Sequence, residues 1–500
     1  MDNLAEISAS VWEFIFGNMV WWNLLFSIII VFFERRNPKS VWAWLLLMYF
    51  IPVVGFVLYL FLGLNIHNRK MFRIKAIEDG LSRAVRSQEQ QLRTADEQQV
   101  DGAISNYMDL VMYNLETSDA VLTDDNEVEI FTEGSAKFES LVKDLEAAEH
   151  FIHLEYYIIK NDVLFNRIRE VLVRKVQQGV KVRILFDSMG CRSIRKEYWK
   201  KMRAQGIMTA EFFPAFFGIF QLRMNYRNHR KIAVIDNKVA YVGGFNIGRE
   251  YVGLDDKFGH WRDTHLRLRG SAVHALGLRF IMDWKYAAKE DLLESLMPQK
   301  GEKATGDVPR IPESDHMEGC DIQIISSGPD NNTEQIRDNY LRLINKAQKS
   351  IYIQTPYFIP DEEILTALKI AVRSGIEVHI MIPCKPDHMF VYWATYSYIG
   401  ELVMHGANCY TYDNGFLHSK GMIVDGKVFC YGTANMDIRS FALNFEVNAV
   451  VYDEAKAGEM EQIFRKDLEQ CTKITRDNYV SRKLIIRIKE QICRLFSPFL

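Results

Sequence analysis

One pattern occurs twice in this chain, which therefore has to build two copies of one structural unit. The first copy runs from His229 through Lys231 to Asp236, the second from His418 through Lys420 to Asp425. After six further residues come Gly243-Gly244-Phe245-Asn246 in the first and Gly432-Thr433-Ala434-Asn435 in the second. The pattern H-x-K-x4-D-x6-G-[GT]-x-N thus recurs at identical internal spacing, with the histidines 189 residues apart (418 minus 229). A single chance H-x-K-x4-D would arise only about 0.05 times in a chain of this composition, before the Gly and Asn are required.

Residues i and i+2 of a strand face the same way, so each imidazole projects with its ammonium. The run Lys231–Asp236 is apolar and β-branched, as a buried strand requires. Asp-Asn-Lys and Asp-Gly-Lys then read as tight turns, and a return strand brings back the Asn. His, Lys and Asn together supply a nucleophile or acid, a point charge and a neutral donor for a tetrahedral anion. Two such sets facing one phosphorus allow attack by one imidazole and protonation of the leaving oxygen by the other, through a phosphohistidine. A single copy is read as readily as a solvated strand face; the duplication argues against that reading.

On these duplicated residues the chain resembles the phospholipase D superfamily, and its apolar N-terminus makes it similar to the bacterial cardiolipin synthase branch. The resemblance implies metal-independent phosphodiester exchange at a site shared by both halves, with catalytic His229, Lys231, Asp236, His418, Lys420 and Asp425 and phosphate-binding Asn246 and Asn435. It implies that the motif Asp residues are partly structural, and that a carboxylate downstream of each motif braces the histidine. The candidates are Asp263 in His260-Trp-Arg-Asp-Thr-His265 and Glu446 in Asn444-Phe-Glu446. It also implies that His229 attacks first and His418 acts as the acid. The substrate it implies is phosphatidylglycerol in a membrane, converted to cardiolipin and glycerol, with no cofactor. A phospholipase D-type hydrolase or another phosphatidyltransferase is the neighbouring alternative.

Net charge is −3, which disfavours a nucleic-acid partner and so a nuclease. Seven cysteines without CxxC spacing read as reduced thiols facing the cytosol, with no zinc or other metal site. Oligomeric state is left open.

The expected fold class is α/β: two homologous phospholipase D-type α/β/α halves packed together, preceded by an N-terminal transmembrane helical hairpin. Val11–Phe33 and Val41–Leu64 each approach the roughly 20 residues that span a bilayer, and several tryptophans resemble interfacial anchors. Residues 1–70 are read as the cell-membrane anchor and 71–120 as a juxtamembrane connector running into the first half, 121–289. A Gly-, Pro- and charge-rich linker, 290–319, precedes the second half, 320–500. The basic clusters after each span nearly cancel; the thiols favour a cytoplasmic body. In each half a strand, helix and strand follow one another (151–159, 163–178, 180–186 and 351–359, 361–374, 376–382), the pattern of a parallel crossover. The aromatic run Phe212–Phe220 is either core or a lip for acyl chains. At the C-terminus Leu484, Ile485, Ile488, Ile492, Leu495 and Phe496 share one arc of a helix. Such a stripe is expected to pack on the core; the alternative is an interfacial helix on anionic lipid.

Overall fold

Helices α1 (Met19–Phe33), α2 (Pro38–Phe50), α3 (Lys75–Thr94) and α4 (Met108–Ser118) precede the first repeat. The computed structural model describes residues 17–33, 38–51, 55, 59, 75–94, 103–214, 226–290, 292, 319–331 and 333–497. Residues 69–214 with 227–498 form one compact unit, and residues 1–68 with 215–226 another.

In the N-terminal unit α1 and α2 have 15 and 13 residues, about 22 and 20 Å at 1.5 Å per residue. Among the described residues no helix is long and apolar enough to cross a membrane. Parts of both expected spans lie outside the described residues. α2 ends at Phe50, two residues before Pro52, where the chain can no longer supply a helical N–H. Trp44 stacks edge-on against Tyr59 at 5.3 Å and is buried with Ile30 and Met48, whereas Trp21 and Trp42 are exposed.

The first repeat comprises β1 (Thr123–Glu133), α5 (Gly134–Ala147), β2 (Phe151–Tyr156), α6 (Val163–Gln177), β3 (Lys181–Asp187), α7 (Lys196–Ala204), β4 (Met208–Phe212), β5 (Arg227–Asn228), β6 (Lys231–Ile235), β7 (Val239–Gly243), β8 (Trp261–Arg269) and α8 (Ala272–Ala288). The second comprises β9 (Cys320–Ser327), α9 (Gln335–Lys346), β10 (Ser350–Gln354), β11 (Phe358–Ile359), α10 (Glu362–Arg373), β12 (Glu377–Pro383), α11 (Met389–His405), β13 (Asn408–Tyr412), β14 (Phe416–Leu417), β15 (Gly421–Val424), β16 (Val428–Gly432), β17 (Met436–Asp437), α12 (Ile438–Ala442), β18 (Asn444–Tyr452) and α13 (Glu454–Leu468). After it come β19 (Cys471–Ile474), α14 (Arg476–Val480) and α15 (Leu484–Leu495).

The sheets have the same strand order. The first reads β4-β3-β2-β6-β7-β8-β1 and the second β13-β12-β10-β15-β16-β18-β9, with β1 and β9 paired antiparallel across the join. β2–β3 and β10–β12 are parallel, as the strand–helix–strand runs predict. Both crossover helices are capped by an Asp, Asp162 and Asp361, and are followed within two residues by left-handed Gly179 and Gly375. Of the linker 290–319, residues 291 and 293–318 lie outside the described residues.

One placement, that of the C-terminal stripe, differs from the sequence reading; at the connector and the start of the aromatic run the structure fills in what that reading left open. α4, in the connector, docks on the second repeat: Leu110 and Val111 pack with Ile336, Tyr340 and Leu343, and Asn114 Nδ2 reaches Asn339 Oδ1 at 3.0 Å. Phe212 and Phe213 are buried against Tyr286 and Phe445, so this end of the aromatic run is core; residues 215–220 lie outside the described residues. The C-terminal stripe does not pack on the core. α15 is held to the body by its polar side, where Glu490 is buried and paired with Arg482 at 2.6 Å, and its apolar arc faces outward.

The motif carboxylates set the turns. Asp236 and Asn237, and Asp425 and Gly426, have positive φ, as a type I′ hairpin demands. Asp236 accepts from the N–H groups of Glu149, His150 and Phe151 at 2.6, 2.9 and 2.7 Å. Asp425 does the same for Gln348, Lys349 and Ser350 at 2.9, 2.7 and 2.9 Å. Asp236→Ala and Asp425→Ala are each expected to destabilise by about 1–3 kcal/mol, the cost of leaving such donors unpaired. Urea midpoints check this, with the specific activity of the folded fraction unchanged; lost activity at unchanged stability would put these carboxylates in the chemistry instead.

Candidate active site

Two short parallel pairings between the repeats build the site. β5 lies beside β18, with Arg227 opposite Asn444 and Asn228 opposite Phe445. β14 lies beside β8, with Phe416 opposite Trp261 and Leu417 opposite Arg262. The next residue in each case is a motif histidine. The His229 N–H donates to the Phe445 carbonyl at 3.0 Å and the His418 N–H to that of Arg262 at 2.7 Å. Each histidine is thereby delivered to the carboxylate of the other repeat. His229 Nδ1 meets Glu446 at 2.9 and 3.0 Å, and His418 Nδ1 meets Asp263 at 2.7 Å. A carboxylate on Nδ1 favours the tautomer with the proton there and the lone pair on Nε2.

Lys231 and Lys420 are fully buried and donate to the carbonyls of His229 and His418. Lys420 Nζ also lies 3.7 Å from Asp263. Burial pulls Lys231 down to about 7 and Lys420 to about 8, against the raising effect of Glu446 and Asp263 respectively. Burial also lowers His229, and burial with the adjacent Lys420 lowers His418 to about 4. Lys420 acts on His229, and Lys231 on His418, so the two motifs form one electrostatic site. Burial alone would raise Asp263; Lys420 and His418 outweigh it and hold the carboxyl below its usual range.

The other expected residues fall into two groups. Asp236 and Asp425 sit at the far ends of their strands, about 20 Å along the chain from the imidazoles at 3.3 Å per residue. The motif asparagines differ. Asn246 is held on both sides, accepting from Ile158 N–H at 3.0 Å and donating to Tyr251 Oη at 3.2 Å. Asn435 Oδ1 is buried without a partner, so that amide is less committed.

The variable motif position is explained by its neighbour. A Cβ on Gly244 would sit 1.9 Å from Asp263 Oδ1, so only glycine fits there. Its counterpart Thr433 instead donates its hydroxyl to Glu446 at 2.6 Å. The motif also left out Tyr157, whose ring stands edge-on to His229 at 4.9 Å, and Trp261, 5.0 Å from His418. Trp261 is two residues before Asp263 on the same strand face, a signal available in the sequence.

Behind the carboxylates lie two arginine clamps. Arg230 pairs with Asp283 at 2.7 Å and donates to the Glu446 carbonyl at 3.2 Å. Arg262 pairs with Asp467 at 2.8 Å and donates to the Asp263 carbonyl. In the second repeat Gln354 donates to Asp467 at 2.8 Å. Strand pairing makes Glu155 the counterpart of Gln354: it lies opposite Ile232 of β6 as Gln354 lies opposite Gly421 of β15. Glu155 accepts from Asn228 at 2.6 Å and faces Asp283. Burial first, then Asp283, push it well above its ordinary 4.5, a direction that favours the neutral acid, the form closest to the amide of Gln354.

A raised carboxyl pKa favours folding only while the group stays protonated in both states. Glu155→Gln is therefore expected to be more stable than the parent at pH 8, the gap closing as pH falls toward 4.5. Melting temperatures across pH check this. A variant less stable than the parent at pH 8 would mean that Glu155 is charged.

Among the described residues no group of three or more His, Cys, Asp or Glu is arranged to hold a metal. Residues 141–258 and 340–468 match the family described as "Cardiolipin synthase, PLD-like domain", and residues 22–63 match "Phospholipase_D-nuclease N-terminal". The chain is 46% identical over 479 residues to the major cardiolipin synthase of Bacillus subtilis (strain 168), covering 96% of this chain and 97% of that protein. It is 46% identical over 482 residues to a cardiolipin synthase of Oceanobacillus iheyensis, with the same coverage. Among solved structures, the phosphatidylserine synthase of Haemophilus influenzae Rd KW20 superimposes with a TM-score of 0.59 at 13% identity. It covers 78% of this chain and 99% of that one, a likeness of fold.

Proposed function

The chain belongs to the cardiolipin synthase family of the phospholipase D superfamily, and we propose that it joins two phosphatidylglycerol molecules into cardiolipin, releasing glycerol. The observation that carries the mechanism is the pair of imidazoles, each with Nδ1 tied to a buried carboxylate.

His229 Nε2 attacks phosphorus of the first lipid and displaces the glycerol oxygen. His418 gives that oxygen its proton. A glycerol hydroxyl of the second lipid then loses its proton to His418 as its oxygen attacks phosphorus, and His229 departs with its lone pair restored. Near 4 in the free site, His418 must first gain a proton, and the arriving phosphodiester anion raises its affinity for one. Lys231 and Lys420 neutralise the non-bridging oxygens, and Asn435 has the less committed amide. A motif Asp at each turn keeps the strands in register. Hydrolysis competes because a phosphohistidine accepts water; transfer wins when the second lipid is held at high effective concentration.

The protein is membrane-associated. We assign the association to Val11–Phe33 and Val41–Leu64 crossing the bilayer, with the catalytic body on the cytoplasmic side. Cysteine labelling from either side of sealed vesicles checks this: a probe at Asn37 and one at Lys200 should react from opposite faces.

His229→Ala and His418→Ala are each expected to abolish synthesis of cardiolipin from labelled phosphatidylglycerol, with melting temperature little changed. Activity retained in either would mean that the halves work separately. Rapid quench and peptide mapping should place the phosphatidyl group on His229; a label on His418 reverses the order of the pair.

The pH profile follows from the same groups. The lysines must be charged to bind the anion, so the affinity of the free site for an unreactive phosphodiester should fall as pH rises through about 7 to 8. The attacking imidazole must be neutral, and both are lowered, so the acid limb of turnover should lie below 6.5. An affinity still rising at pH 9 would contradict the lysine role.

A further inference from the structure

α15 is amphipathic in the inverse sense to a packing helix. The face on the body carries Ile486, Glu490, Cys493 and Arg494 and is closed by polar contacts. Glu490 is fully buried against Arg482, Arg494 pairs with Glu401 at 2.5 Å, and Ser497 takes a hydrogen bond from Tyr398 at 3.2 Å. The Arg494 guanidinium also lies over the Tyr398 ring of α11 at 4.3 Å. The opposite face presents Leu484, Ile485, Ile488, Ile492, Leu495 and Phe496, from 44% exposed at Ile488 to 77% at Leu495. A body that only needed to cover this segment would turn these residues inward.

We propose that the outward face of α15 docks on an anionic lipid bilayer, lying in the headgroup layer and not crossing it. Three observations select lipid as the occupant. The stripe is the exposed side of one helix, a shape that suits lying along a flat surface. At 100° per residue the exposed Arg487 and Lys489 flank the apolar arc on opposite margins; Arg487 donates to the Val480 carbonyl and Lys489 lies 5.5 Å over the Trp393 ring, and from such margins long basic side chains can turn to phosphate while their stems lie on hydrocarbon. The only acidic residue of the helix, Glu490, is buried and paired, so the face is purely cationic and complements phosphatidylglycerol headgroups. The inference deepens the proposed function, resting on a membrane lipid as substrate: docking α15 holds the catalytic unit at the surface where both lipids reside.

The test uses the full chain reconstituted in phosphatidylglycerol vesicles. Five of the seven cysteines are buried, so a Cys384→Ser, Cys471→Ser background admits a spin label at Ile488→Cys or, as a water-exposed reference, at Lys200→Cys. The label at 488 should be reached by oxygen and shielded from a soluble nickel chelate about tenfold better than the label at 200, as expected for a side chain in the acyl boundary. Equal nickel access at the two sites overturns the proposal. So does shielding accompanied by dipolar coupling between labels on separate molecules, which would make a second copy the occupant. Independently, Ile488→Glu with Ile492→Glu should lower turnover on vesicles about tenfold, the scale of losing a buried aliphatic side chain, and leave turnover of dispersed short-chain phosphatidylglycerol unchanged. Equal loss on both substrates overturns the docking role. If the parent protein turns over neither substrate, the function assigned above fails, while the label measurement still decides where α15 lies.

Discussion

Everything at the centre of this molecule depends on the exchange of two short strands between repeats. β5 runs parallel to β18 and β14 parallel to β8, and each pairing ends at a motif histidine beside the other repeat's carboxylate. A parallel pairing fixes which residue stands opposite which, so the contacts of His229 with Glu446 and of His418 with Asp263 follow from backbone register. Neither half holds a complete relay, which explains why the chain carries the unit twice and why the halves form one compact unit.

The exchange places two histidines, two lysines and two carboxylates in a buried volume. Opposite charges share that space, and the protein adds further structure to hold them. Arg230 and Arg262 each bind a helix carboxylate and also reach the backbone carbonyl of a bracing residue. The repeats solve the same problem with different chemistry: Gln354 donates to Asp467 as an amide, and Glu155 lies near Asp283 with its carboxyl pushed toward the neutral form by burial. Gly244 makes room for Asp263, and Thr433 supplies a hydroxyl to Glu446. The lowered lysines and imidazoles follow from burial; an anionic phosphate would restore their charge, so the free site is poised for that ligand.

Local pattern made the repeat, the parallel crossovers and the hairpin turns legible in the sequence. Asp263 and Glu446 could be named as braces only through the family resemblance, which implies a carboxylate downstream of each motif; they follow their histidines by 34 and 28 residues, so no common spacing marks them. Which histidine each serves depends on long-range strand pairing, which has no local signature. The docking of α4 has no local signature either: it precedes β1 in the chain, yet its apolar face packs with the second repeat. The apolar arc of α15 was visible, but which side faces the body was decided by Glu490, Arg482 and Arg494, whose partners lie on other elements. The motif aspartates illustrate a shared signature with divided labour: invariant spacing marks a turn as readily as a catalytic group.

The central claim is that each carboxylate serves the histidine of the opposite repeat. Histidine nitrogen chemical shifts in the full chain, labelled at histidine and assigned by single His→Gln variants, test it directly. Removing the charge with Glu446→Gln should change the tautomer signature of His229 and leave that of His418 largely in place, while Asp263→Asn should do the reverse. A Glu446→Gln spectrum in which His418 changes and His229 does not would contradict the account.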